Sequence, residues 1–270
     1  MLYKTAPFQP EARMSDPQGQ FAWYELLTAD TEAAKSFYGD VVGWSAQDVP
    51  MPGMTYTLFM LGDTHVCGLM NLPEDARRMS VPPNWIGYVA VDDVDASAEQ
   101  AKRLGGAIHM QPHDIPNVGR FSVIADPQGA TLALFKSSRP GQDQPPEPMA
   151  PGRTGWHELL AVDWEEAFAF YSEMFGWQKA EAIPMGEMGT YQLFSAGGPP
   201  IGGMFNKPPL VPVPFWLYYF TVPDIDAAAA RVTAGGGQIV MGPLEVPGGA
   251  WIVQGRDPQG AMFALVGQRS

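Results

Sequence analysis

The sequence predicts an α+β protein made of two repeated domains, each containing two βαβββ units. The letters WYELL at residues 23–27 return as WHELL at residues 156–160, and DPQGA at residues 126–130 returns unchanged at residues 257–261. The chain has 270 residues, a length that suits about two domains. A repeat of such a long period indicates a duplicated domain rather than a solenoid of short repeats.

The first unit follows from changes in the spacing of apolar residues. Residues 21–28 form a strand candidate, and Asp30 is the predicted N-cap of a helix whose apolar residues recur at spacings of three and four as far as Val42. Gly43 fits the position just after this helix, where glycine adopts a left-handed conformation without steric cost. Strands are then predicted at residues 44–49, 56–61 and 66–71.

The second unit repeats this order. It begins with a strand at residues 85–91 and continues with a helix that we expect Asp95 to cap and that runs to Leu104. Its remaining strands are predicted at residues 107–110, 121–125 and 131–136. The turn with the letters DPQGA joins the last two of these strands.

The second half repeats the first and sets the predicted boundaries. Asp163 and Gly176 correspond to Asp30 and Gly43, and an alanine-rich helix is predicted at residues 227–234 in the fourth unit. Segments rich in proline and lacking periodicity precede the first domain and separate the two domains. We therefore predict an N-terminal arm at residues 1–19, a first domain at 20–136, a linker at 137–152 and a second domain at 153–268.

Composition excludes several classes of partner. The formal net charge of -13 argues against binding to nucleic acid or to an anionic membrane surface, because like charges repel. The chain lacks an apolar run of the roughly 18 residues that cross a bilayer, and its N-terminus does not resemble a signal peptide. Its one cysteine, Cys67, lies in a predicted strand and permits no internal disulfide. We expect a cytoplasmic protein with neither a nucleic-acid nor a membrane partner.

Several motifs occur in a fixed order along the chain. They are FY…GW at residues 37–44, VDDVD at 91–95, IPNVGR at 115–120 and the two DPQGA turns. With these motifs the chain resembles the vicinal oxygen chelate superfamily of glyoxalases, bleomycin-resistance proteins and extradiol dioxygenases, in particular its two-domain, glyoxalase-like bacterial members. The resemblance implies that each pair of units curls into an eight-stranded cup, with a ligand, and a metal where present, on the concave face.

The metal ligands of the family are missing from the positions that the resemblance assigns to them. An indole offers only an N–H donor, and alkyl side chains offer nothing. Gln192 is the one candidate at the remaining position, whereas a catalytic metal site needs about three protein ligands. We therefore predict no metal-binding residues and no cofactor, and leave a divalent metal at an unusual site open. The positions in question are Trp23, Ile86 and Ala133 in the first half, and Trp156, Leu217 and Ala264 in the second.

In each half, the strand face that carries the tryptophan at the first ligand position also carries a glutamate. Strand alternation places Glu25 on the face of Trp23, and Glu158 on the face of Trp156; by the resemblance, this is the concave face. A carboxylate in an apolar cup is costly to desolvate unless it is hydrogen-bonded, paired or protonated. Glu25 and Glu158 are therefore candidate catalytic residues. The alternative is that each carboxylate is hydrogen-bonded to a neighbouring strand and holds the cup together, and the duplication favours that role.

Further residues are predicted to contact a substrate. The concave faces are expected to be rich in aromatic side chains, which suit a flat apolar ligand or, alternatively, a filled core. Arg120 would give the first half a polar rim that the second half lacks, because Trp251 stands at the equivalent position. The predicted substrate-binding residues are Trp23, Tyr56, Tyr88 and Arg120 in the first half, and Trp156, Tyr191 and Tyr219 in the second.

Three functions remain open. The first is an enzyme that performs isomerase, lyase or hydroxylase chemistry on a small molecule, with Glu25 or Glu158 as general base. The second is a non-catalytic protein that sequesters a drug or metabolite, as bleomycin-resistance relatives do. The third, an extradiol dioxygenase, ranks last because its iron needs two histidines and a glutamate at positions that hold apolar residues here. Family members occur as monomers and as homodimers, and either state is expected.

Overall fold

The computed structural model describes residues 18–51, 54–139 and 149–269. The predicted arm, apart from its last two residues, and the central part of the predicted linker lie outside the described residues. The described residues form two mixed sheets of eight strands each, one per sequence repeat. The predicted α+β class, with tandem βαβββ units, is therefore confirmed.

The described part of the first half forms one sheet of eight strands and carries three helices. One of them, the short helix α2 in the proline-rich connection, was not predicted from the sequence. The elements are β1 (Phe21–Thr28), α1 (Thr31–Val42), β2 (Ser45–Met51), β3 (Met54–Leu61), β4 (Thr64–Asn71), α2 (Glu74–Arg78), β5 (Asn84–Ala90), α3 (Val94–Arg103), β6 (Ala107–Ile115), β7 (Gly119–Ala125) and β8 (Thr131–Ser137).

The second half repeats the order, with a 3₁₀ turn at Gly186–Met188 between its second and third strands. The elements are β9 (Thr154–Ala161), α4 (Trp164–Phe175), β10 (Gln178–Pro184), β11 (Thr190–Ser195), β12 (Pro200–Asn206), β13 (Phe215–Asp224), α5 (Ile225–Ala234), β14 (Gln238–Glu245), β15 (Trp251–Arg256) and β16 (Met262–Gln268).

The two sheets have the same strand order, which brings the first strand of each unit to the centre. The order is β2-β3-β4-β1-β5-β8-β7-β6 in the first half and β10-β11-β12-β9-β13-β16-β15-β14 in the second. Strands β1 and β5 are antiparallel neighbours, and each also pairs in parallel with the last strand of its own unit. The glutamates of β1 and β9 therefore lie in the middle of their sheets.

Aspartate caps begin the four longer helices, α1, α3, α4 and α5, and two of these helices begin earlier than predicted. Asp30 accepts the backbone N–H of Ala33, and Asp163 caps α4, both as predicted. In the second unit, however, Asp93 rather than Asp95 is the N-cap. The fourth-unit helix likewise begins at Ile225 instead of residue 227. In both units the cap is the aspartate two residues before the one that the sequence pattern indicated: Asp93 instead of Asp95, and Asp224 instead of Asp226.

The repeated motifs form reciprocal contacts between the two halves. The hydroxyl of Tyr38, from the first FY motif, donates to Asp257 Oδ2 in the second DPQGA turn at 3.2 Å. In return, the Tyr171 hydroxyl donates to Asp126 Oδ2 in the first turn at 3.0 Å. Both tyrosines and both aspartates are buried. These motifs therefore fix the assembly of the two domains around one continuous core.

The tryptophans of the two GW motifs also form reciprocal hydrogen bonds between the halves. Trp44 Nε1 donates to the carbonyl oxygen of Gly152, just before the second domain, at 2.8 Å. Trp177 Nε1 donates to the carbonyl oxygen of Gly19, just before the first domain, at 2.7 Å. The residues that enter each domain are thus anchored by the other domain.

His157 faces this interdomain core, on the side of β9 opposite to Trp156 and Glu158. Its Nδ1 lies 2.6 Å from the carbonyl oxygen of Ile201 and therefore carries the proton, while Nε2 accepts from the Tyr24 hydroxyl at 2.5 Å. The Phe21 ring stacks on the imidazole with the centroids 3.9 Å apart. Burial lowers the pKa of His157 to about 4, so the ring is neutral near pH 7 and serves packing.

Candidate functional site

The concave face of the first sheet, called cup 1 here, is built around Glu25. Its side chain is only 7% exposed, and the Tyr88 hydroxyl donates to its Oε2 at 2.6 Å. The Tyr56 hydroxyl is a second hydrogen-bond partner of the same carboxylate. Trp23 Nε1 donates to the Tyr56 oxygen at 3.1 Å and orients that hydroxyl. Four residues predicted for this site are therefore in direct contact.

The concave face of the second sheet, cup 2, repeats the arrangement around Glu158. Tyr191 donates to Oε2 at 3.0 Å and Tyr219 donates to Oε1 at 2.9 Å. Trp156 Nε1 donates to the Tyr191 oxygen at 2.8 Å. A third donor, which the sequence did not predict, is the Gln254 amide: its Nε2 lies 3.0 Å from Glu158 Oε1 and 2.7 Å from the Tyr219 oxygen.

A glycine makes room for the tyrosine in each cup. A Cβ atom at Gly68 in β4 would lie 1.9 Å from the Tyr56 oxygen, and one at Gly203 in β12 would lie 2.2 Å from the Tyr191 ring. No larger residue fits at either position without displacing the tyrosine. The glycine thus lets the aromatic ring cross the neighbouring strand and reach the glutamate.

Burial makes both carboxylates weaker acids. Desolvation raises the pKa of Glu158 to about 7, although the bonds from Tyr219, Tyr191 and Gln254 act in the opposite direction. Desolvation likewise raises the pKa of Glu25, again opposed by the bonds from Tyr88 and Tyr56. The pKa values of the four tyrosines are raised well above their usual value by burial, so their hydroxyls remain donors. Each site can therefore hold or release a proton at its glutamate.

The walls around the two glutamates are apolar but differ in composition. In cup 1, Phe121 and Phe135 lie with their ring centroids 6.1 and 6.2 Å from that of Tyr88, and both are half-buried. In cup 2, Met185 and Val211 from the connecting segments pack on the apolar cluster of the strands. In the described residues, the corresponding cluster of cup 1 contains strand residues only. Among the described residues, no hydrophobic side chain of a connecting segment packs on the half-buried aromatic rings of cup 1.

The donor set of the cups does not fit the metal site that the resemblance implies. The positions that would carry ligands hold residues that belong to the apolar clusters, and Ala133 and Ala264 are fully buried between neighbouring strands. Within the described ranges, no group of three His, Cys, Asp or Glu side chains is arranged to hold a metal ion. The polar groups that the described strands present in the cups are carboxylate, phenol and amide groups.

Arg120, predicted to contact a substrate, is not brought to Glu25. It precedes Phe121 in β7 and so points to the opposite face, where helix α3 packs. There its guanidinium bonds both carboxylate oxygens of Asp95 at 2.7 and 2.8 Å, and one oxygen of Asp114 at 2.9 Å. It contributes to the helix side of the sheet rather than to a polar rim of the cup.

Two surface depressions lie away from the cups. One, of about 350 Å³, lies at the edge of the first sheet and is lined by Arg120, Lys136 and Asn117 among others. The other, of about 290 Å³, lies between the halves and is lined by Phe170 and Glu173 among others. None of the charged side chains that line them is buried, in contrast to Glu25 and Glu158. The cups remain the candidate sites on chemical grounds.

Comparison with known proteins agrees with this architecture. The model of the Glyoxalase/Bleomycin resistance protein/Dioxygenase superfamily matches residues 20–134 and again residues 153–265. The chain therefore belongs to that superfamily, with one family domain in each half. None of the helices in the described part is both long and apolar enough to span a membrane.

Two relatives are similar over nearly their whole length. "Putative glyoxylase CFP32" of Mycobacterium tuberculosis is 36% identical over 254 residues, which cover 92% of this chain and 95% of that protein. "Anthracycline biosynthesis protein DnrV" of Streptomyces peucetius is 31% identical over 261 residues, which cover 92% of this chain and 93% of that protein. Both relatives thus share the two-domain extent of this chain.

Solved structures share the fold at low identity. 2,2',3-trihydroxybiphenyl 1,2-dioxygenase of Sphingomonas wittichii has a TM-score of 0.66 and 16% identity, with 93% of this chain and 90% of that chain covered. The Mn(II)-bound glyoxalase of Novosphingobium aromaticivorans has a TM-score of 0.64 and 16% identity, with 94% and 83% covered. At this identity the likeness demonstrates the fold alone.

Proposed function

We propose that this protein binds a small, flat organic molecule with aromatic or apolar surface in its cups, with Glu25 and Glu158 as the polar anchors. The observation that carries the proposal is the construction of each cup. A buried carboxylate held by two tyrosine hydroxyls lies in an apolar wall whose aromatic rings remain partly exposed. Such a combination of apolar walls and few convergent polar groups is typical of small-molecule sites.

Proton transfer is the chemistry that these groups support. A glutamate with a raised pKa can accept a proton from a ligand C–H or O–H group and return it at another atom, as isomerase and lyase reactions require. The tyrosine hydroxyls hold the carboxylate in place and remain protonated throughout. The name of the anthracycline biosynthesis relative agrees with a polycyclic aromatic ligand, and the name of the glyoxylase relative agrees with lyase-type chemistry.

The second candidate is a protein that sequesters such a molecule without changing it. Each glutamate already accepts hydrogen bonds from tyrosines on neighbouring strands, which is the arrangement expected of a structural carboxylate. Recognition would then rest on shape and apolar contact. Ring cleavage by an extradiol mechanism stays last, since the described cups offer no set of iron ligands.

Binding is tested with 1,2-dihydroxyanthraquinone, a flat hydroxylated probe. We expect saturable binding by the wild type and a loss of about tenfold in affinity when Trp23 or Trp156 is replaced by leucine, because a stacked aromatic contact is lost. Trp251→Leu is the matched control, since Trp251 packs on the helix side against the Arg269 guanidinium. Equal affinity in all four proteins would overturn the proposal.

The same probe separates the enzyme from the sequestering protein. Conversion of the bound compound is followed by mass spectrometry for the wild type, Glu25→Gln and Glu158→Gln. Conversion that disappears in one of the two variants, while binding persists, identifies the catalytic glutamate. Binding without any conversion favours the second candidate.

A further inference from the structure

The two cups can be compared position by position, because the same set of neighbouring residues on adjacent strands occurs in both sheets. In cup 1 the strand register aligns Trp23 with Tyr88, Tyr88 with Ala133, and Ala133 with Val123. In cup 2 the equivalent row reads Trp156, Tyr219, Ala264 and Gln254. Val123 and Gln254 thus occupy the same position relative to their glutamates, and both are half-buried.

That position supplies a hydrogen-bond donor in one cup only. Gln254 Nε2 donates to Glu158 Oε1 at 3.0 Å, so Glu158 has three side-chain donors. Val123 has no polar atom and packs in the apolar cluster of cup 1, so Glu25 has two side-chain donors among the described residues, Tyr88 and Tyr56. A carboxylate has about four acceptor sites, so Glu25 keeps acceptor capacity beside Val123.

We infer that cup 1 takes a flat aromatic molecule carrying a neutral hydroxyl donor, and that this hydroxyl bonds Glu25 in the place that the Gln254 amide fills in cup 2. The inference rests on the proposed function and adds the chemical class of the ligand and the cup that binds it. A carboxylate or sulfonate ligand is disfavoured, because it would place a second negative charge beside Glu25 in a chain with a formal net charge of -13.

The walls of cup 1 suit the aromatic ring of a ligand whose hydroxyl bonds Glu25. Phe121 and Phe135 present half-buried rings beside Tyr88, and Val123 offers an alkyl surface next to the glutamate. In cup 2 the equivalent space is bounded by Ile252 and by Met185 and Val211 from the connecting segments. In cup 2 the Gln254 amide already occupies the side of Glu158 that Val123 leaves open at Glu25 in cup 1.

The test compares two probes that differ in one donor, 1-naphthol and 1-methoxynaphthalene, by isothermal titration calorimetry. For the wild type we expect 1-naphthol to bind at least about tenfold more tightly, since a hydrogen bond to a charged acceptor is gained. Val123→Gln supplies the internal donor and should reduce the ratio of the two affinities to about one. Val123→Met has a similar volume and no donor, and should retain the preference for 1-naphthol.

The outcomes separate this inference from the proposed function. Thermal denaturation first shows that each variant is folded. A wild type that binds both probes equally overturns the inference and leaves the proposed function intact, whereas a wild type that binds neither probe, nor the dihydroxyanthraquinone, overturns both. Gln254→Val should keep the wild-type ratio of the affinities for the two probes. If Gln254→Val instead lost the preference for 1-naphthol while Val123→Gln kept it, the site would be assigned to cup 2 and the inference would be contradicted.

Discussion

Replacing Asp126 by alanine is expected to lower the free energy of unfolding by about 3–5 kcal/mol. The Asp126 carboxylate is 4% exposed, and its Oδ1 accepts the backbone N–H groups of Gln128 and Ala130, both at 2.9 Å. Its Oδ2 accepts the hydroxyl of Tyr171 from the other half. Alanine leaves these donors buried without a partner, so both the turn and the domain contact lose stability. Urea unfolding measures the change.

Two controls separate the turn from the domain contact. Asp126→Asn keeps an oxygen for the two backbone donors and loses the acceptor of Tyr171, so we expect a cost of about 1 kcal/mol. Asp63 lies exposed in a turn, and Asp63→Ala should change the stability by less than about 0.5 kcal/mol. An Asp126→Ala protein that unfolds within 1 kcal/mol of the wild type would show that the DPQGA turns do not hold the halves together.

The contribution of Glu158 to the stability of the protein is expected to fall as the pH rises from 4.5 to 7. Its folded-state pKa is raised from 4.5 to about 7, so the folded state binds more protons than the unfolded state in this window. The contribution is fully present below pH 4.5 and is lost as the pH rises through 7. A shift of this size corresponds to about 3 kcal/mol.

Glu158→Gln isolates this contribution. The difference in unfolding free energy between the wild type and Glu158→Gln should decrease by about 3 kcal/mol between pH 4.5 and 8, as measured by urea unfolding. The opposing effect of His157, whose pKa is lowered, is present in both proteins and cancels. Glu187→Gln, at an exposed position, is the matched control and should show no such trend. A constant difference for Glu158→Gln would mean that folding does not shift the pKa of this carboxyl group, and would contradict the prediction.

Much of the fold follows from local signals in the sequence. Two identical turns, two FY motifs and the aspartate caps were sufficient to predict four βαβββ units and their order. The start of α3 was predicted two residues late, because VDDVD offers three aspartates and only the end of β5 decides which of them caps the helix. The interdomain role of Tyr38 and Asp257 was not foreseen, since no local pattern indicates which distant residue a buried hydroxyl meets.

The candidate sites were predictable in part. The alternation of side chains along a strand placed Glu25 on the same face as Trp23. The same rule, applied to β7, would have placed Arg120 and Phe121 on opposite faces of the sheet. Gln254 and Gly203 were missed, because their importance depends on which strands lie side by side and in which register. Once β9 is known to lie between β12 and β13, the glycine opposite Glu158 becomes interpretable.

A crystal structure of the protein with 1,2-dihydroxyanthraquinone would show directly whether the cups bind such a ligand. We expect the ring system in cup 1, against Trp23 and Phe121, with a hydroxyl oxygen within about 3 Å of a Glu25 carboxylate oxygen. A ligand seated in the depression beside Arg120 and Lys136, with both cups empty, would contradict this expectation.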